Sequence, residues 1–402
     1  MTRDPAATSD PAQRPVRLLI TGGGTGGHVY PGLAVAEAVA RLAPAAEVRF
    51  AGTRRGLESV LVPEAGYRLH HVPASGFRGL GPLARVVFMA NYAAGILRSI
   101  PLLLAWRPAV ILGTGGFASA PVMSAGRLLG IPCALQEQNA YPGSANRLLG
   151  RWARRVYLGF PSAAPFFRGR ACVDTGNPVR GAFLAAAKRL EREPGENGTG
   201  RRERSERRIL VFGGSRGART LNLAVRDAAP VWGARADLSF RIQTGPADAD
   251  MVADACRRAG PRFRVEAYIK DMASALDWAD LVVCRAGAMT LAEIQCLGKP
   301  SVLVPFPHAT DDHQLRNAED CARAGAAVVL EDGRCDGPTL LATVDAILGD
   351  PGALESMGRA AAGLARPEAA ALIAADLLAT AGHPAGTPAA AMGETKERDV
   401  VR

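Results

Sequence analysis

Residues 18–28, LLITGGGTGGH, and residues 209–219, ILVFGGSRGAR, follow one plan. Each is an apolar strand, paired glycines, a small hydroxyl residue, another glycine, then sequence compatible with a helix. Glycines in a strand-to-helix turn let backbone N–H groups approach an anion closely, where the helix N-terminus adds partial positive charge. Around the first run the chain alternates helical stretches with short apolar strands, predicted at Val16–Ile20, Val48–Ala51, Ala109–Leu112, Cys133–Gln136 and Val156–Leu158. The second run restarts the pattern, with strands at Arg208–Phe212, Phe240–Gln243, Phe263–Glu266, Leu281–Cys284, Ser301–Val304 and Ala327–Leu330. Such alternation predicts an α/β protein with parallel sheets covered on both faces. The repeated unit predicts two similar domains facing a cleft.

The rest of the chain fits that frame. Its 402 residues are enough for two or three domains. A content of 48% hydrophobic and 21% charged residues excludes wholesale disorder and fibrous classes. The polar, Pro-rich start has no apolar signal core, which predicts a cytosolic protein. The seven cysteines are odd in number and hold no C-x-x-C pair, which predicts reduced thiols and neither a disulfide framework nor a zinc site. Net charge is +10, and only four of the 48 cations are lysine, so arginine dominates. Arginine suits phosphate and anionic lipid, but compositional bias of the source gives the same excess. No basic stripe interleaved with aromatics supports a nucleic-acid partner. From Lys188 to Arg208, 13 of 21 residues are charged, which predicts a solvated linker. The expected organisation is a disordered tail 1–14, a first domain 15–182, a charged linker 183–207, a second domain 208–381 and a disordered tail 382–402.

Gly22–Gly27 satisfies G-x-G-x-x-G between a strand and a helix, yet the dinucleotide reading lacks its acid. The end of the next strand is Phe50-Ala51-Gly52-Thr53-Arg54-Arg55. Arg54 and Arg55 suit a 2′-phosphate, which keeps an NADP oxidoreductase as the alternative from another class. A P-loop is excluded, because His28 stands where lysine is required. A second loop, Gly213–Gly217, and a third, Arg285–Thr290, suit a diphosphate donor held between domains. His28, in the first turn of its helix, is either a base, as imidazole suits neutral pH, or a cap. Thr290 and Glu293 form either a capping box or a carboxylate aimed at ribose hydroxyls. Gln314 and Asn317 share a helical face suited to a sugar. Asp311-Asp312-His313 and Asp248-Ala249-Asp250 are more ordinary as helix starts than as metal ligands, and no metal or cofactor is expected.

Seven motifs, GGGTGGHVYPGLAVAEAV, GTGGFASAP, QEQNAYPGSANRLL, TGNPVR, GGSRGA, CRAGAMTLAE and PFPHATDDHQLRNA, run in order from Gly22 to Asn317. Together they resemble the MurG family. The resemblance implies a GT-B fold of two Rossmann-like domains, the first for a lipid acceptor and the second for UDP-GlcNAc. It also implies inverting transfer of GlcNAc to the MurNAc 4-hydroxyl of undecaprenyl-pyrophosphoryl-MurNAc-pentapeptide, lipid I, giving lipid II. By motif, Thr25, Gly26 and Gly27 would approach the donor, with Asn139 beside its sugar. Arg180 and Ser215 would meet the diphosphate, and Ile269 the uracil through its backbone. Ala288, Met289, Thr290, Leu291, Ala292 and Glu293 would line the nucleotide, with Glu293 on the ribose. Gln314 and Asn317 would hold GlcNAc. The resemblance leaves the base open, and His28 is our candidate. Arg216, where many relatives carry Gln, and the charged insertion are the departures. Other GT-B glycolipid transferases and a silent sugar-nucleotide binder are the alternatives nearer in class.

A lipid-linked acceptor requires contact with a membrane. Between Gly76 and Pro108, apolar runs at 86–97 and 99–106 alternate with Arg78, Arg85, Arg98 and Arg107. Each run is too short to span a bilayer and Pro101 interrupts them. Core helices account for most such aliphatics; the expected remainder is an arginine-rimmed patch docking on the anionic cytoplasmic face of the inner membrane. Association with other cell-wall synthesis proteins is implied by the resemblance alone.

Overall fold

The computed structural model describes residues 15–75, 82–192, 206–309 and 312–383. The first sheet holds β1 (Arg17–Gly22), β2 (Glu47–Gly52), β3 (Arg68–His71), β4 (Val110–Gly115), β5 (Cys133–Glu137), β6 (Arg155–Leu158) and β7 (Cys172–Asp174). Its order is β3-β2-β1-β4-β5-β6-β7, every pair parallel. The second sheet holds β8 (Arg207–Phe212), β9 (Leu238–Gln243), β10 (Phe263–Glu266), β11 (Leu281–Cys284), β12 (Ser301–Leu303) and β13 (Ala327–Val329), in order β10-β9-β8-β11-β12-β13 and again parallel. All eleven expected strands are present. β3 and β7 are additions, both short edge strands without a buried apolar run.

The strands form where the sequence can bury both faces at once. In β1, Leu18 and Ile20 pack towards α1 (Gly26–Leu42), and Leu19 packs on the other face, towards Trp106 and Met123. β8 repeats this alternation, with Ile209 and Val211 to one side and Leu210 and Phe212 to the other. Each fully buried aliphatic contributes roughly 1.5–3 kcal/mol. Gly32 lets α1 lie close on the sheet, since a Cβ there would stand 2.9 Å from Ile20 Cγ2. Strand order reverses between β1 and β4 and between β8 and β11, and ligands of open parallel sheets bind outside the strand ends at such a switch. All three glycine loops identified in the sequence lie at these two switch points.

Three expectations need correction, two of them domain boundaries. First, the linker does not begin at 183. Residues Gly181–Arg192 form α6, with Phe183 and Ala186 buried in the second domain's core and Leu190 half-buried beside them. The charges decorate the other face, where Arg189 meets Asp277 at 3.6 Å. Residues 193–205 lie outside the described residues, as do most of both tails. Second, the C-terminal domain does not extend to 381. The last helix, α14 (Ala369–Thr380), returns to the first domain and packs Ile373, Ala374, Leu377 and Leu378 with Leu18, Val35 and Val39. Asp376 on it accepts the Tyr157 hydroxyl at 2.5 Å and pairs with Arg155 at 3.0 Å. The two crossings touch where Gly176 (φ 74°) meets Arg366, a site with no room for a Cβ.

Third, Pro101 does not interrupt the apolar segment. A single helix, α3, runs Pro82–Trp106. By length and composition alone it is apolar enough to cross a membrane. It nevertheless packs along α4 (Ser119–Leu128): Tyr92 bonds Ser124, and Ile96, Ile100 and Leu103 join the core. Along α3, Val86, Val87, Met89, Leu97 and Leu104 are exposed, with Leu97 68% exposed. Phe88 is half-buried and stacked on Tyr92. Residues 76–81, with Phe77 and Arg78, and the side chain of Arg85 lie outside the described residues.

Candidate active site

The loop leaving β1 turns at Gly24 (φ 91°) into α1, whose N-cap position is Thr25. His28 is the third helical residue. Its Nδ1 lies 3.1 Å from the Thr114 carbonyl and 3.2 Å from Gln138 Oε1. Both partners only accept, so Nδ1 carries the proton and Nε2 keeps the lone pair. The seat is built by the loop after β4. Thr114 Oγ1 donates to the His28 carbonyl at 2.7 Å, and Gly115 (φ 95°) leaves room that a Cβ, 2.8 Å from Nδ1, would take. Burial lowers the His28 pKa; its two hydrogen bonds oppose the shift, and the His313 charge adds to it. A neutral imidazole with a fixed tautomer results.

Beside this seat the buried strand end Gln136-Glu137-Gln138 is wholly occupied with polar contacts. Gln138 Nε2 donates to the Thr114 carbonyl at 2.7 Å and to Gln136 Oε1. Gln136 bonds Asn177 at 2.9 Å, and Asn177 donates to the Gln138 carbonyl, tying the interdomain crossing to the site. Glu137 accepts from the Asn139 backbone at 2.9 Å, its side chain at 3.2 Å, and Asn146 at 2.8 Å. Burial pushes the Glu137 carboxyl up and these donors draw it back.

Under the first glycine loop lies a carboxylate that the sequence reading missed. Glu58, at the start of α2 (Glu58–Glu64), is 1% exposed. Its Oε2 accepts Gly24 N–H at 2.8 Å, and its Oε1 accepts the Thr53 N–H at 2.8 Å and hydroxyl at 2.6 Å. A dinucleotide phosphate at this loop would face that negative charge. That charge beneath the loop counts against the NADP reading, which Arg54 and Arg55 alone had kept open.

The second loop differs. Gly214 (φ 88°) and Gly217 (φ 78°) shape it, and Ser215 and Arg216 are exposed at its tip. Gln243 holds it from below, donating to the Gly214 carbonyl at 2.9 Å and accepting the Ile269 N–H at 2.8 Å. Ile269 is buried with its amide used, which leaves its carbonyl for a base. Asp248 bonds Arg219 at 2.6 Å and Asn222 at 2.9 Å, so it serves the loop's helix α7 (Arg219–Gly233).

At the third loop, α10 (Ala288–Cys296) begins after Gly287 with no side-chain cap. The capping box between Thr290 and Glu293 does not form, because the extended Gly287 already starts the helix and Glu293 turns to Arg180. Arg180 Nη2 stands 2.9 Å from Glu293 Oε1, with the guanidinium 4.2 Å over the Tyr30 ring and 4.7 Å over Phe183. Burial pushes Glu293 up, and Arg180 opposes it. Arg180 thereby joins α1 and α10 across the cleft. Met289 and Leu291 are buried, while Thr290 and Ala292 are half-exposed.

Arg285 faces away, donating to the carbonyls of Val304 and Pro305 at 3.0 and 3.2 Å and to Asp332 at 2.5 Å. This fixes the segment before α11 (His313–Arg323), where Gln314 accepts the Phe306 N–H at 3.0 Å. Asn317 is fully buried: Oδ1 accepts Ala140 N–H at 2.9 Å, while Nδ2 donates to Asn139 and to the Ala286 carbonyl at 3.2 Å each. Asn139 and Asn317, expected separately at a sugar, bond one another across the domains. Asp312 (φ 53°) precedes the helix, and Asp311 lies outside the described residues. No group of three potential metal ligands occurs among the described residues.

Comparison with known proteins agrees with this geometry. Models of the glycosyltransferase family 28 N-terminal and C-terminal domains match residues 18–158 and 208–373. A UDP-N-acetylglucosamine--N-acetylmuramyl-(pentapeptide) pyrophosphoryl-undecaprenol N-acetylglucosamine transferase of Anaeromyxobacter sp. is 42% identical, over 96% of this chain and 100% of its own. One from Geobacter metallireducens is 41% identical, over 90% and 98%. The crystal structure of Acinetobacter baumannii MurG superposes with a TM-score of 0.73 at 27% identity, covering 91% of this chain and 99% of that one. Two parallel-sheet domains, a returning last helix and three glycine loops at the switch points make a GT-B enzyme, and the chain belongs to the MurG family within glycosyltransferase family 28.

Proposed function

We propose that this chain transfers GlcNAc from UDP-GlcNAc to the MurNAc 4-hydroxyl of lipid I, inverting the anomeric centre and producing lipid II. The observation that supports it best is the seat of His28, a neutral imidazole with Nδ1–H fixed on Thr114 and Gln138. In the reaction Nε2 takes the acceptor proton as the 4-hydroxyl attacks C1 and UDP departs from the opposite face. The N-terminal domain receives the acceptor and the C-terminal domain the donor. Charge developing on the diphosphate meets the exposed Ser215 tip, the N-terminus of α10 and Arg180, which passes from Glu293 towards the phosphate. Glu293 then accepts the ribose hydroxyls, and Gln314 and Asn139 address the sugar. We assign no step to a metal.

The test is transfer of labelled GlcNAc to a short-chain lipid I analogue, with the product anomer read by NMR. A β-linked disaccharide, formed at the same rate with EDTA present, is expected. Donor binding without transfer would overturn the reading.

The exposed face of α3 suits peripheral attachment at the cytoplasmic side of the inner membrane. Val86, Val87, Met89 and Leu97 stand exposed along it, together with Arg98. Replacing Val86, Val87 and Met89 with Ser is expected to weaken binding to anionic liposomes and leave UDP binding unchanged; unchanged liposome binding would refute the docking.

A further inference from the structure

We propose that Glu58 is a positioning residue for transfer: its carboxylate occupies the anion-binding face of the first glycine loop, so that the loop holds its shape and sets α1 and His28 for the acceptor. The proposal rests on the transferase reading above. It starts from an imbalance in that loop. The pattern Gly22–Gly27 has the form that cradles a phosphate, yet Gly24 N–H, which points where such a phosphate would lie, donates to Glu58 Oε2 at 2.8 Å. The same carboxylate accepts two bonds from Thr53, and Thr53 Oγ1 in turn accepts Gly56 N–H at 3.2 Å. A buried carboxylate with charge-assisted bonds to backbone N–H is a strong, directional brace.

The sequence makes space for it at three separate places. A Cβ on Gly23 would stand 2.3 Å from Glu58 Oε1, one on Gly52 2.6 Å from Glu58 Cγ, and one on Gly56 2.0 Å from Oε2. These glycines come from the β1 loop, the end of β2 and the turn before α2, so the cavity is contributed by three elements and fits one carboxylate. The braced loop leads directly into the helix. Thr25 accepts the His28 and Val29 amides through its carbonyl at 3.1 and 3.2 Å. On its other side the loop meets the β4 loop, where a Cβ on Gly116 would stand 2.2 Å from the Gly23 carbonyl. Any shift of Gly23–Gly24 therefore moves both walls of the His28 seat. Glu58 itself touches neither His28 nor substrate; its effect on rate passes through the loop and through its charge, which raises the His28 pKa, and a variant that keeps the charge separates the two.

Chemical rescue tests the assignment. Glu58→Gly empties a carboxylate-sized hole lined by the Gly24 and Thr53 N–H groups. We expect kcat with the lipid I analogue to fall about tenfold or more, equivalent to roughly 1.4 kcal/mol in the barrier. UDP binding should stay within about twofold of wild type, and formate should restore a large part of kcat in a saturable manner. Gly56→Ala is the second variant: it keeps the charge, displaces the carboxylate from outside the loop, and should lower kcat comparably without response to formate. Wild-type kcat in either variant would overturn the proposal. So would a loss in Glu58→Gly that formate does not relieve while UDP binding is intact. If Glu58→Gly fails to fold, Gly56→Ala decides alone. Failure of the transferase reading appears separately, as a wild-type enzyme without transfer.

Discussion

The loops after β1 and β8 begin from nearly the same sequence and end with opposite electrostatics. After β1, the paired glycines close over the Glu58 carboxylate, and the helix they open presents a histidine. After β8, the neutral Gln243 amide holds the Gly214 carbonyl, Asp248 is engaged by Arg219 and Asn222, and Ser215 and Arg216 stand exposed. A Cβ on Gly214 would meet nothing within 4 Å, whereas one on Gly23 would strike the carboxylate. The glycine pattern thus specifies a strand–turn–helix connection and a set of inward N–H groups. Whether those groups greet a ligand depends on a residue 34 positions away in the first loop and 29 in the second. On the function proposed above, one switch point serves a base and the other an anion.

This contrast predicts a division of labour that single substitutions should expose. The largest effect belongs to His28→Ala, which removes a general base and should lower kcat by roughly 10²–10⁴-fold, with UDP affinity unchanged by calorimetry. An equal loss of UDP binding would mean that the first loop holds the nucleotide after all. The next concerns stability. Ile373 on α14 is fully buried in the first domain's core, so Ile373→Ala should cost about 2–4 kcal/mol in denaturant unfolding. The loss should fall on the β1 half of the molecule, and hydrogen exchange of β8 should be little changed. Uniform loosening of both sheets would show that the returning helix braces the two domains equally.

The smallest effect is the pH dependence at the His28 seat. Burial holds the folded His28 pKa below the usual 6.5. Between the folded value and 6.5 the unfolded chain binds more protons, so stability rises with pH through that window. The contribution is complete above about 6.5 and is lost as pH falls towards the folded value. His28→Asn should flatten this part of the Tm-against-pH curve. The acid limb of the rate profile should likewise lie below 6.5, and a limb above it would contradict a neutral base.

Much of the fold was legible because buried parallel strands are short apolar runs punctuated by glycine, as in β1 and β8. β3 escaped because RLHH is a half-exposed edge strand, and β7 because CVD, at the other edge, buries none of its residues. The α6 helix was hidden by its charges: Phe183, Ala186 and Leu190 mark an inward face, but the composition of the following residues dominated the reading. Nothing local in ALIAADLLAT says which domain its apolar faces will meet, so the return of α14 is decided by tertiary packing alone. In the site, loops and helix starts were readable, since a glycine run at a strand end has few structural meanings. Their supports were not. Glu58, Gln243, Thr114 and Gln138 act through hydrogen bonds to backbone atoms distant in sequence, and a lone Glu or Gln carries no pattern that announces such a bond. Asn139 and Asn317 were found individually, but their pairing across the cleft was not.

The most direct test is to copy the first loop's charge onto the second. UDP affinity would be measured by calorimetry for wild type, Ser215→Asp and Glu58→Gly. A carboxylate at the tip of the β8 loop should repel the diphosphate and raise the Kd by at least tenfold, about 1.4 kcal/mol. Removing the carboxylate under the β1 loop should leave Kd within about twofold. The reverse ranking, with UDP tolerant of Ser215→Asp and sensitive to Glu58→Gly, would contradict the assignment of the nucleotide to the second switch point.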